Sequence, residues 1–416
     1  MKAPNSKAVL GIIFLTVFLD LVGFGIVLPL LPFYATDMGA TPLVVGLIIS
    51  SYSAMQFLFA PVWGALSDRL GRRPLLILGL FGSAVSYIVF GLANTIGVLL
   101  LSRVIAGIMG ANIAVAQAYI ADTTTSQQRA RGMGLIGAAF GLGFIFGPAI
   151  GGFLSRWGYG VPGFAAAGLS FLAAGSAVFL LPESLPPERR TKTTGHGGLD
   201  AFGARFRAAK RVFSSANLRD PIIGFFLGTM GFAGFTTTFP LFLDDPLGLD
   251  AMHAGAMFAL VGTISAIAQG GAIGPLVERY GEKLIGTVGG LLLGAALAVM
   301  GWSRTIPVTV AMLVPVGLGW GMMAPSIQSL ISRRAPAREQ GEVLGVNQSA
   351  SAMARMIGPV AAGSAFGVFG PGLGFLAGGI SVLAAAIWIW LMPPRGGATG
   401  ELESAASDRP PAGEAT

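Results

Sequence analysis

The 416-residue chain has no cysteine and only two histidines, His196 and His253, both in expected loops. Disulfides and thiolate metal sites are therefore excluded, and two isolated imidazoles form no cluster, so neither a metal centre nor a cofactor is expected. Charge is scarce too. Only 11% of residues are Asp, Glu, Lys or Arg, about half the share of soluble domains, too few to coat a soluble protein of this length. The chain contains no phosphate-cradling loop and no His-containing triad, which weighs against a membrane enzyme or sensor. What is abundant is apolar: 53% hydrophobic residues with 63 glycines, the composition of closely packed membrane helices whose small residues let backbones approach.

Apolar runs long enough to cross about 30 Å of hydrocarbon recur throughout. They predict twelve spans near 8–35, 41–66, 74–93, 96–121, 132–155, 161–181, 221–243, 252–277, 284–302, 306–331, 341–369 and 372–392. The first is too long, and too soon followed by a second, for a cleaved signal peptide. With both termini in the cytoplasm, Arg156 and Arg304 of the 26 Lys and Arg fall outside, Arg103 and Arg355 lie within spans, and the other 22 are cytoplasmic. This is the positive-inside bias of a multi-pass inner (plasma) membrane protein. The net charge of +7 is thus topogenic and dispersed, with no nucleic-acid footprint.

The expected organisation is a six-span block over 1–181, a linker over 182–220, a second six-span block over 221–392 and a disordered cytoplasmic tail over 393–416. In the linker, Leu199, Phe202, Phe206 and Phe213 recur at helical spacing among Arg205, Arg207, Lys210 and Arg211. That pattern predicts a short amphipathic helix on the cytoplasmic leaflet.

The two blocks repeat each other. Gly64-Ala-Leu-Ser-Asp68-Arg69-Leu-Gly71 is answered 210 residues later by Gly274-Pro-Leu-Val-Glu278-Arg279-Tyr-Gly281, and Gly134 and Gly147-Pro148 by Gly345 and Gly358-Pro359. Two similar halves are the sequence sign of a secondary transporter with its site where they meet. Gly64 and Gly71 would permit a tight turn before Arg72-Arg73-Pro74, and Asp68 could bind a helix N-terminus or a nearby arginine. This loop resembles the signature loop of the major facilitator superfamily. Leu101-Ser-Arg103-Val-Ile-Ala-Gly107 is similar to the second family motif, and Gly143-Phe-Ile-Phe-Gly147-Pro148-Ala-Ile-Gly151-Gly152 to the motif of its antiporters. Leu19-Asp20-Leu-Val-Gly23-Phe-Gly25-Ile-Val-Leu-Pro29, with Ile120-Ala-Asp122-Thr123-Thr124, is similar to the tetracycline-exporter branch of the drug:proton antiporters. That branch carries an acid in span 3 where this chain has Ser86, and span 9 has none either, which argues against a cationic metal–tetracycline chelate. The resemblance implies an all-α fold of twelve transmembrane helices in two pseudo-symmetric six-helix bundles, working as a monomer. It also implies that Asp68, beside Arg69 and Arg72 and with Arg129 or Arg131 as its partner, grips the other half when the carrier faces outward and lets go when it faces inward, Glu278 and Arg279 mirroring it.

Asp20 is the one carboxylate placed deep in a span, roughly 18 Å from the cytoplasmic end at 1.5 Å per residue, and Arg103 enters roughly 10 Å from the other side. In a slab about 30 Å thick they would lie level. An unpaired charge at that depth costs several kcal/mol, so an ion pair or a water-lined cavity is expected. Movement of Arg103 or of water would change the proton affinity of Asp20, the chemistry of a proton-driven antiporter; the alternative is a static pair that fixes packing. Arg355 has no intramembrane acid left to pair with. Gln56, Asn112, Gln117, Gln269, Gln328, Asn347 and Gln348, spread over both halves, suggest a polar cleft. Span 7, with Gly231, Gly234 and Pro240, is expected to be interrupted as span 1 is at Gly23, Gly25 and Pro29. The reading is a proton antiporter exporting a small amphipathic drug-like molecule. The alternative is a proton-linked transporter of a metabolite, such as a sugar or organic anion.

Overall fold

A computed structural model describes residues 6–393 apart from 111, 125, 187, 189, 191–196 and 337–338. The tail beyond 393 therefore lies outside the described residues. Among the described residues, eleven helices are long and apolar enough to cross a membrane. Spans 1 to 6 are Val9–Asp37, Pro42–Leu70, Arg72–Gly91, Ile96–Thr123, Gly132–Trp157 and Gly160–Leu180. Spans 7 to 10 are Ala216–Asp244, Ala251–Gly271, Ile273–Met300 and Ile306–Arg334. The helix Gln340–Leu391 bends at Gly370, whose φ of 80° is non-helical, and so supplies both span 11 and span 12. The chain is thus an all-α membrane protein with twelve crossings in two pseudo-symmetric sets of six. Side chains such as Leu172, Phe179 and Val368 stand exposed, which suits lipid.

Local chemistry sets the element ends, and it repeats between halves. Thr41 accepts from Val44 N–H and Asp250 from His253 N–H, capping spans 2 and 8. Left-handed glycines come in three pairs, Gly39 with Gly248, Gly71 with Gly281 and Gly158 with Gly370, at offsets of 209, 210 and 212. At Gly71 (φ 109°) and Gly281 (φ 81°) a side chain would be strained, so these two glycines make the turns of the repeated loop. Gly64 does not, because span 2 continues as helix to Leu70. Span 1 breaks at Leu28-Pro29, but span 7 runs unbroken through Pro240, so its expected interruption is absent. The hydroxyls of Thr236, Thr237 and Thr238 there bond back to carbonyls of their own helix. Breaks the sequence did not announce occur in span 4 at Gly110 and in span 8, where Ala268–Ala272 is a π-helical turn.

Both ends of each six-span set, and the linker, lie on one side of the bundle, called here the linker end. In the first half one core surrounds Tyr119, Leu76 and Ala174, and a second surrounds Ile26, Ile48 and Phe90. The second half has a single core, which Leu30 and Phe33 of span 1 enter, while Leu241 of span 7 enters the opposing one. The halves are thereby locked together at the far end.

Candidate functional site

The seam between the halves is built on glycine and proline, because only bare backbone lets four helices approach so closely. Gly46 of span 2 abuts the Pro359 carbonyl of span 11, and Gly255 of span 8 abuts the Pro148 carbonyl of span 5. The two contacts are pseudo-symmetric copies, at offsets of 209 and 211. Gly363 on Pro42 and Gly152 on Ala251 form a second such pair, and the Ser50 hydroxyl donates to the Met356 carbonyl at 2.6 Å. The glycine-proline motif serves two faces of one helix: Gly143, Gly147 and Gly151 pack on span 1, while Pro148 and Gly152 meet span 8.

The same faces are empty toward the linker end. Eighteen residues are five helical turns, or about 27 Å along the same face. Gly46 and Gly64, Gly152 and Gly134, and Gly363 and Gly345 are pairs with that separation. In each pair the far-end member touches the other half, and the linker-end member has no heavy atom within 4 Å of where a Cβ would stand. The halves therefore meet at the far end and part toward the linker end.

At mid-depth the cleft carries its charge. Asp20, partly exposed, accepts a hydrogen bond from Asn112 Nδ2 at 3.2 Å, and that amide also reaches Ser83 Oγ at 3.4 Å. Gly79 leaves the space that the Asn112 side chain fills. Across from it, Arg355 of the second half donates to Gln56 Oε1 at 3.5 Å, and Gln56 Nε2 to the Gly110 carbonyl at 2.9 Å and the Tyr52 hydroxyl at 3.4 Å. Tyr52 lies within electrostatic range of Asp20, Arg355 and Arg103, with its ring 5.4 Å from that of Phe24. Sequence analysis did not single out Tyr52; its place four residues before Gln56, on one helical face, was the available signal. A stacked pair, Phe232 of span 7 and Trp320 of span 10, stands 4.0 Å apart.

The expected Asp20–Arg103 ion pair is not formed. Arg103 is 4% exposed and lies over Phe90 (5.2 Å) and Tyr87 (5.9 Å); its Nε donates to Ser102 Oγ at 3.2 Å and its Nη2 has no partner. The two depths were measured from opposite ends of a 30 Å slab, whereas spans 1 and 4 are 29 and 28 residues long, about 42 Å at 1.5 Å per residue. The span 4 residue that reaches Asp20 is Asn112, nine positions further on. Of the expected polar set, Gln56, Asn112 and Arg355 join this centre. Asn347 is buried with its Oδ1 unpartnered. Gln117, Gln269, Gln328 and Gln348 are exposed on their helices and make no hydrogen bond to it.

The repeated loops hold mirrored ion pairs of reversed sign. Arg72 bonds Asp68 at 2.6 Å and Asp122 of span 4 at 3.0 Å, and its N–H donates to Glu183 Oε1 at 2.9 Å, so Glu183 takes the helix-N-terminus role foreseen for Asp68. In the second half Glu282 occupies the place of Arg72, and Arg333 of span 10 the place of Asp122; these two also pair. Glu278 and Arg279 are exposed, with Arg279 over Tyr280. Arg69 is exposed as well. The side chains of Arg129 and Arg131 lie outside the described residues.

The chain resembles known proteins over most of its length. It is 35% identical to the Escherichia coli tetracycline resistance protein, class C, over 370 residues, covering 86% of this chain and 89% of that one. It is 29% identical to multidrug resistance protein 2 of Bacillus subtilis (strain 168) over 368 residues, with 88% and 90% covered. The crystal structure of the human organic anion transporter MFSD10 (TETRAN) superposes with a TM-score of 0.72 at 29% identity, over 93% of this chain and 100% of that one. The family pattern described as Major Facilitator Superfamily matches residues 13–359 and 273–414. With twelve crossings, two pseudo-symmetric halves and a charged cleft between them, the chain belongs to the Major Facilitator Superfamily.

Proposed function

We propose that the chain is a proton antiporter of the inner membrane that exports a small amphipathic molecule by alternating access, with the linker end in the cytoplasm. Asp20 carries this reading. It is a carboxylate in the middle of span 1, in the cleft, partly exposed and held by a neutral amide from Asn112 rather than locked to a cation. Such a group can lose and regain its proton as the cleft changes face. A neutral or cationic cargo that uses the ionised carboxylate competes with the proton, and that competition is what exchange requires. The names of the tetracycline and multidrug resistance relatives support the cargo class. On this reading the conformation described is open to the cytoplasm, and the Arg72–Asp68 contact stays within its own half.

A second reading rests on a separate observation. Arg355 reaches the centre with no carboxylate partner among the described residues, so the cleft holds a guanidinium group as well as one acid. An organic anion would meet complementary charge there, as the name of the MFSD10 relative suggests. Protonation of Asp20 would then assist cargo binding rather than oppose it. The two readings differ in sign. With purified protein in weakly buffered detergent, adding a bound cargo releases protons under the first and takes them up under the second; Asp20→Asn abolishes either signal while binding persists. Full pH-gradient-driven transport by Asp20→Asn in proteoliposomes would remove Asp20 as the coupling acid.

A further inference from the structure

The linker helix Gly197–Ser214 has two apolar faces, and the protein covers one. Ala208, Ala209 and Val212 pack into the core of the second half, with Val212 only 3% exposed. Arg211 holds Glu342, in the first turn of span 11, at 3.0 Å. The helix also runs beside span 2, so it sits where spans 2 and 11 diverge. At about 100° per residue, Phe206 and Phe213 share one stripe, roughly 100–120° round from Val212. They are 74% and 40% exposed. On the same count Arg205 lies about 80–100° to the Val212 side of that stripe, Arg207 about as far on the other side, and Lys210 between the stripe and Arg207; none of the three has an ion-pair partner among the described residues. Leu199 and Phe202, whose positions continue the stripe, lie outside the described side chains.

The helix cannot leave the bilayer surface. It ends at Ser214 and span 7 begins at Ala216, a separation that extended chain spans in roughly 7 Å. Two phenylalanines bracketed by free cations at that level match a phospholipid leaflet, apolar below and anionic at the headgroups. We propose that the Phe206–Phe213 face docks on anionic phospholipid, anchoring the second half to the leaflet while the first half moves against it.

Because the chain lacks cysteine, Phe206→Cys gives a single site for a nitroxide on the full-length protein, at a position whose exposure spares the fold. In nanodiscs containing phosphatidylglycerol the label should be oxygen-accessible and sit roughly 5–10 Å below the headgroup boundary. In Arg205→Gln/Arg207→Gln/Lys210→Gln the same insertion should weaken by about fivefold per charge removed. The proposal is overturned by a label that stays water-accessible in those discs. It is equally overturned by a label that is buried regardless of lipid charge, or shielded only when a cytosolic protein fraction is added, which would make the partner a protein.

Discussion

The far-end seam can be tested by adding one methyl group to each half. In Gly46→Ala or Gly255→Ala the new Cβ would stand closer than 3.0 Å to a backbone carbonyl, of Pro359 or of Pro148. Backbone cannot rotate away, so the helices must part, and overpacking of this kind costs about 1–3 kcal/mol. In the opposite conformation of the proposed alternating-access cycle the seam is open and the methyl meets no protein. The penalty therefore falls on one state only and shifts the two-state equilibrium roughly 5- to 150-fold away from the linker-end-open form. Gly168→Ala, whose Cβ would meet nothing within 4 Å, is the control. A lone cysteine at exposed Gln348 reports access from the linker end through its rate of labelling by an impermeant maleimide. Labelling should fall in both seam variants, by similar factors because the contacts are copies, and stay level in the control. Gly64→Val and Gly345→Val should do the reverse, keeping fast labelling and normal melting while stopping transport. Unchanged labelling in Gly255→Ala, or full transport in Gly64→Val, would refute the account of which faces meet.

Arg355→Gln should raise the KM for an anionic cargo roughly 10- to 150-fold, the worth of a hydrogen bond to a charged group, and leave neutral cargo unaffected; equal effects on both would reduce Arg355 to packing. The reversed ion pairs can be exchanged. Glu282→Arg and Arg333→Glu should each lower the melting temperature, and the double variant should recover most of the loss, with a coupling of about 0.2–1 kcal/mol in a double-mutant cycle because Arg333 is largely exposed.

Much of this was legible in the residues. The offset of 210 between the repeated loops anticipated paired left-handed glycines at 71 and 281, whereas the glycine-proline register announced a repeat without announcing the contacts that close the far end. Periodicity located the spans because hydropathy is a property of runs. Depth was less legible: the level of a side chain depends on span length and tilt, and so Asp20 met Asn112 where Arg103 was expected. Which of two similar polar residues points inward was also hidden, since Gln56 reaches Arg355 whereas Gln117, with the same chemistry, does not. Two proline-bearing spans looked alike in sequence, yet only span 1 breaks, at Leu28-Pro29, while span 7 runs as helix through Pro240.

Gly39, Gly158, Gly248 and Gly370 each close a hairpin containing one of the four seam helices, and each closes it in very few residues. Arms joined so tightly have no slack to absorb displacement. Whatever swings span 11 at its free end must carry span 12 through the same arc, and likewise for the other three hairpins. Each hairpin is in effect a stiff lever, and a modest push near the mouth is delivered undiminished at the opposite end.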